Sequence, residues 1–168
     1  MLKLWRGTIT FTLMGIKANF TREDVRKRFD AFLTAIEKRQ IARLKLLGEM
    51  CLIEARNNKG YKMHTGALTS STGYQVFVDG VAVHTKFYAE SGAKSGAAAT
   101  GMKAGQGIAE RVGKGTKGVA LVVVAGMNYA AYVEARGYNV LSSAEHLAER
   151  VLPRMLDNLI TNIKRAAE

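Results

Sequence analysis

The chain has one cysteine, one proline and no apolar run of membrane-spanning length. Each shortage excludes something. Cys51 has no partner for an internal disulfide; it falls in an apolar helical pattern and reads as a small core residue in a reducing compartment. No window approaches the roughly 18 apolar residues of a membrane helix. The N-terminus also lacks the continuous apolar core of a signal peptide, so a soluble, unexported protein is expected. Recognisable reaction chemistry is scarce as well. His64, His84 and His146 are scattered without a second metal ligand at helical or hairpin spacing. Ser70, Ser71, Ser142 and Ser143 stand near histidines in sequence but in no nucleophile-elbow pattern, and Asp79, Glu90, Glu110 and Glu134 form no recognisable pair. Gly105-Gln106-Gly107 and the Gly113–Gly118 run match neither a Walker loop nor a dinucleotide fingerprint. No metal, no cofactor and no enzymatic activity are expected.

What the chain does have is positive charge. Among 168 residues, 25 are Lys or Arg against 14 Asp or Glu, a net +11. The excess lies ahead of residue 119, because the last fifty residues carry five charges of each sign. Such a field attracts polyanions, whether nucleic acid or an acidic protein surface. The length suits a single domain able to bury a core without covalent staples.

The apolar pattern predicts an α+β fold in which a mainly antiparallel sheet of about four strands packs against a long N-terminal helix and a C-terminal helix. Leu2, Leu4, Ile9, Phe11 and Leu13 alternate imperfectly with Lys3 and threonines, predicting a half-buried strand over Trp5–Met14. Thr21 followed by Arg22-Glu23-Asp24 is a helix start. Apolar positions from Val25 to Ala55 keep helical spacing until Asn57-Asn58-Lys59-Gly60 stops them. At 1.5 Å per residue this helix is roughly 50 Å long, more than a compact domain of this size needs. Gly48 inside it marks a bend or a close approach to another backbone, or is simply a tolerated glycine. Tyr61–Ser71 reads as a polar connection anchored by Leu68. Tyr74–Val78 and Val81–Tyr88, separated by Asp79-Gly80, predict a hairpin with Tyr74, Val76 and Val78 on one face and Gln75 and Phe77 on the other.

Ala89–Gly118 carries eight glycines, four lysines and one arginine with few large apolar groups. It reads as a long flexible Gly/Lys-rich loop, either a functional loop or a segment that a partner orders. The seven apolar residues Val119–Ala125 suit a strand buried on both faces at the centre of the sheet. After it, Tyr129, Tyr132 and Val133 share one side of a short helical turn. The last helix begins at Ser142 or Ser143, with Ser143 as its N-cap, and Pro153 is expected to bend or split it at Leu152.

Two of these stretches carry a resemblance. Thr65-Gly66-Ala67-Leu68-Thr69-Ser70-Ser71 before the hairpin, and Asn128-Tyr129-Ala130-Ala131-Tyr132-Val133-Glu134 after the valine-rich strand, together with the order of elements, resemble the minor tail-component family of tailed phages. Here Gly137 stands three residues after Glu134, where that family usually has a glycine two residues on. Tyr138-Asn139-Val140-Leu141 also replaces its proline-containing stretch. The resemblance implies a virion protein that works at the head-tail interface after passing through the host cytoplasm during assembly. It implies a non-enzymatic homo-oligomeric ring of six or twelve copies, meeting other neck, portal-adaptor or tail proteins and touching no membrane. Subunit-interface candidates are then Tyr129, Tyr132, Glu134, Arg136 and Leu68. Candidates to face packaged DNA or an acidic partner are Lys94, Lys103, Arg111, Lys114, Lys117, Arg26, Arg39 and Arg43. The alternative is a small basic nucleic-acid-binding protein, for which the charge argues and the absence of a stacking motif or helix-turn-helix spacing argues against.

Overall fold

The computed structural model describes residues 21–167. The strand expected at Trp5–Met14 lies outside the described residues. Eight elements follow in order: α1 (Arg22–Asn57), α2 (Ala67–Ser71), β1 (Thr72–Val78), β2 (Val81–Lys86), α3 (Ser95–Gly113), β3 (Val119–Ala125), α4 (Ala130–Ala135) and α5 (Ser142–Ala167). The chain divides into two units, one ending at Leu33 and one beginning at Thr34.

The described part of the first unit is the start of α1. Its cap is reciprocal, with the Asp24 amide donating to Thr21 Oγ1 and the Thr21 amide donating to Asp24 Oδ2. Those bonds satisfy orphan donors of the first turn and hold the Asp24 carboxyl below its ordinary pKa. Val25, Phe29 and Leu33, four residues apart, are 51%, 59% and 48% exposed, an apolar stripe facing water.

The second unit is built on a three-stranded antiparallel sheet in the order β2-β1-β3. The Asp79-Gly80 hairpin forms as expected, with both residues at positive φ, 47° and 80°, as a tight two-residue turn requires. The predicted alternation also holds. Tyr74 and Val76 pack with Leu52 of α1, while the Phe77 ring lies against Gly113 of α3. Beside that first face, Leu47, Cys51 and Ala55 of α1 and Ala144 of α5 form a second cluster, with Leu121, Val123, Leu147 and Leu152 packed around it. Cys51 is buried, its thiol against the Ala144 carbonyl, and burial, aided by Glu54, pushes its pKa up. Gly48 is needed because the Tyr74 ring lies 2.5 Å from where a Cβ would stand. The buried Tyr74 hydroxyl donates its one proton to Glu49, so His84 must donate from Nε2 to the phenol oxygen.

The three strands expected within the described residues all form. Four other expectations need correction. Among the described residues β1 is at the centre of the sheet and β3 at an edge. β3 is apolar because helices lie on both its faces, α3 on one and α1 with α5 on the other, which demands the same composition as a central position. Ala89–Gly118 is no flexible loop: nineteen of its residues form α3. Gly101, Gly105, Ala109 and Gly113 recur every four residues and are all buried, so α3 lays a smooth face against its neighbours. A Cβ at Gly101 would meet the Ala67 carbonyl oxygen at 2.2 Å, and one at Gly105 the Ser71 oxygen at 2.3 Å. Tyr61–Ser71 is not connection throughout either, since its last five residues form α2, which is buried along its whole length. Finally, of the bend or split expected at Pro153 the split does not occur, since α5 is continuous from Ser142 to Ala167. Pro153 is exposed, where water can satisfy the carbonyl that its ring leaves without a donor.

Buried Arg56 ties the end of α1 to the sheet. Its Nη2 donates to the carbonyls of Thr72 and Tyr88, its Nη1 pairs with Glu90 at 3.0 Å, and Lys59 holds the other Glu90 oxygen at 2.8 Å. An open apolar groove of about 490 Å³ remains between α1, β3 and α5, lined by Leu44, Leu47, Val119, Leu121, Val123 and Leu152 among others.

Candidate docking site

The two motif stretches are far apart in sequence and adjacent in the fold. Gly66 enters α2 at φ 79°, a conformation open to glycine at little cost, and a Cβ there would strike Ala93. The small polar residues of α2 then make cross-links. Ser71 donates its hydroxyl to the Leu68 carbonyl at 2.7 Å and accepts from the Gly126 amide at 3.0 Å, at the exit of β3. The Ser70 hydroxyl accepts from the Glu90 amide at 3.0 Å. Leu68 packs with Ala130 of α4 and with Val140, so it is a core contact joining the two motifs, 7% exposed.

Between them lies a cleft of about 470 Å³ lined by Tyr61, Met63, His64, Leu68, Tyr129, Val133 and Tyr138 among others. Tyr129 and Val133, one helical turn apart, form part of its wall. Tyr132 is not among the lining residues; it is 58% exposed, with the Arg136 guanidinium 4.7 Å from its ring centroid. The expected three-residue side is therefore split, with the second tyrosine turned toward Arg136.

Glu134 has a local job. Its carboxylate accepts the amides of Val140 at 2.9 Å, Leu141 at 2.8 Å and Ser142 at 3.3 Å, and also the Ser142 hydroxyl. These are donors at the start of α5, where a negative charge also suits the helix dipole. The turn between the helices fits this clasp. Gly137 at φ 82° closes α4 with Gly137 N–H to Glu134 O and Tyr138 N–H to Val133 O, a Schellman arrangement. Ser143 is thus not the cap. Glu134 and the Asn139 side chain, which accepts the Ser143 amide at 3.0 Å, do that work. Asn139 also donates to Asn58 O at 2.7 Å, tying the end of α1 to the start of α5. Sequence reasoning missed Asn139, whose only signal was an Asn placed just ahead of an apolar helix.

Burial pushes the Glu134 carboxyl up, but the Ser142 hydroxyl and the three amides outweigh it, and the net displacement is downward. A group whose folded pKa is depressed stabilises fully above its unfolded value, about 4.3 for Glu, and loses that contribution as pH falls through the folded value. Glu134→Ala should therefore cost about 2 kcal/mol at neutral pH, and Glu134→Gln rather less. The deficit should shrink in urea titrations run at progressively lower pH below that range. A deficit that stays constant down to acid pH would mean the carboxylate charge is irrelevant.

The basic candidates are dispersed. Lys94, Lys103, Arg111, Lys114 and Lys117 are all exposed, on α3 or at its two ends, with Glu110 among them. Arg26 and Arg39 are exposed on α1, and Arg43 is half-buried on the rim of the apolar groove. Among the described residues no three His, Cys, Asp or Glu side chains are placed to hold a metal ion. No described helix is long and apolar enough to cross a membrane. No protein-family profile, curated protein or solved structure matches the chain.

Proposed function

We propose that the chain is a structural subunit of a tailed-phage neck, which assembles into a ring of six or twelve copies and docks head-side and tail components. The observation that carries the reading is the use to which the two motif stretches are put. Their polar residues are occupied in fastening elements together, with Glu134 on the start of α5 and Ser70 and Ser71 on the Glu90 and Gly126 amides. What they leave on the surface is an aromatic cleft with Tyr129 and Tyr138 half open. A surface of this kind recognises another protein by shape. Exposed Val25, Phe29 and Leu33 on α1 and Leu156 and Ile160 on α5 add apolar area that a monomer gains nothing by displaying.

The test is mass in solution. Light scattering on concentrated protein should give six or twelve times the 18.3 kDa of the chain, at both low and high salt, with closed rings visible by electron microscopy. A particle of one chain mass at every concentration would overturn the proposal.

A second reading, a small basic nucleic-acid-binding protein, draws on the exposed Lys103, Arg111, Lys114 and Lys117. It calls for a chain that stays small and releases DNA steeply as salt rises.

A further inference from the structure

The two outer edges of the sheet are treated differently. β2 is guarded: its pairing with β1 is irregular between Val76 and Phe77, and it carries His84 and Lys86. Bulges and charges of this kind keep an edge from pairing with another chain. β3 has no such protection. Its sequence, Val-Ala-Leu-Val-Val-Val-Ala, holds no charge and no proline, and its seven residues pair with β1 in unbroken register. Among the described residues β1 is its only strand neighbour.

One face of β3 lines the open groove. Val119, Leu121 and Val123, alternate residues on one face of that strand, form one wall, and Leu44, Leu47, Leu152, Met155 and Leu159 form much of the rest. Arg43 is the one charged side chain among the residues that line it. A segment that fits both features must be extended, uncharged, about seven residues long and apolar at every second position.

One stretch of the chain outside the described residues has those properties. Thr8-Ile9-Thr10-Phe11-Thr12-Leu13-Met14 is uncharged, has the length of β3, and sets Ile9, Phe11 and Leu13 against Thr8, Thr10 and Thr12. We propose that Thr8–Met14 of one copy adds as a strand to the outer edge of β3 in the neighbouring copy, with Ile9, Phe11 and Leu13 filling its groove. The proposal rests on the ring reading. A segment given by each copy and received by the next is a heterologous contact, the kind that repeats around a ring until it closes. It covers the unguarded edge and the groove together.

Two measurements on the full chain test it. In the unmodified protein, amide hydrogen exchange is compared above and below the assembly concentration. Protection of Val119–Ala125 and of Thr8–Met14 should rise together, at least tenfold. In the second measurement, Thr10→Cys or Thr12→Cys is combined with Ala120→Cys or Val122→Cys, the native Cys51 being buried. At least one oxidised pair should give a denaturing-gel ladder of covalent multimers up to the ring, with each single variant remaining monomeric. A ring mass in reducing buffer with no bond in any of the four pairs, a bond closed within one chain, or dimers from a single variant each overturn the inference and leave the ring standing. A single chain mass under all conditions sinks the ring reading, and the strand donation with it.

Discussion

Gly101→Ala is expected to destabilise the protein by about 3 kcal/mol or more, while Gly107→Ala, further along the same helix on its exposed side, should stabilise it by roughly 0.5–1 kcal/mol. The chemistry of the two changes is identical and the surroundings decide the sign. At Gly101 the new methyl would stand 2.2 Å from the Ala67 carbonyl oxygen, in a contact between α3 and the buried α2 backbone that no side-chain rotation can relieve. At Gly107 nothing lies within 4 Å, so alanine only removes the entropy cost of ordering a glycine in a helix. For a chain of this size each kcal/mol moves the melting temperature by about 2–4 °C, so calorimetry should separate the two variants by roughly 7–16 °C. Two melting points within a degree of each other would refute the tight α2–α3 contact.

Arg56→Ala should cost about 3 kcal/mol, and Arg56→Lys about half of that, in urea-induced unfolding. Alanine would leave the Thr72 carbonyl without the donor that now bonds it and Glu90 with Lys59 alone; it would also remove the guanidinium held 3.6 Å from the Tyr88 ring centroid. Lysine restores a charge but is a point donor where the site uses a fork, with one nitrogen on Glu90 and the other shared between two carbonyls. Because the Arg56 side chain is only 5% exposed, the loss should change little with salt, unlike that of a surface pair such as Lys27 with Glu23. A strongly salt-dependent loss would place Arg56 in water.

These two sites show what the sequence made legible and what it hid. The long first helix, the hairpin at Asp79-Gly80 and the valine-rich strand could be read because each has a strong local signal: a reciprocal cap, a two-residue turn and a run of branched side chains. The helix over Ser95–Gly113 was hidden by the same glycines that hold it in place. Counted as flexible residues they argue against order, whereas their spacing of four supplies the flat face that lets backbones approach, and that contact is tertiary. Among the described residues β3 has one strand neighbour where its composition suggested two, because composition reports how many faces of a strand are covered and says nothing about its neighbours in the sheet. In the candidate site, Glu134 stood out in the sequence, yet its partners Val140, Leu141 and Ser142 follow from a turn geometry that no propensity encodes. Leu68 was recognised as an anchor; that it joins the two motif stretches could be seen only once α2 and α4 were side by side.

Cys51 lies where α1 meets α5, its sulfur against the backbone of Ala144, and its thiol is held in the unreactive protonated form. It is also the only sulfhydryl in the chain. The molecule therefore contains a natural chemical clock. The rate at which an alkylating reagent consumes that one sulfur measures how often the packing around it, shared by α1, β3 and α5, opens, with no label to introduce.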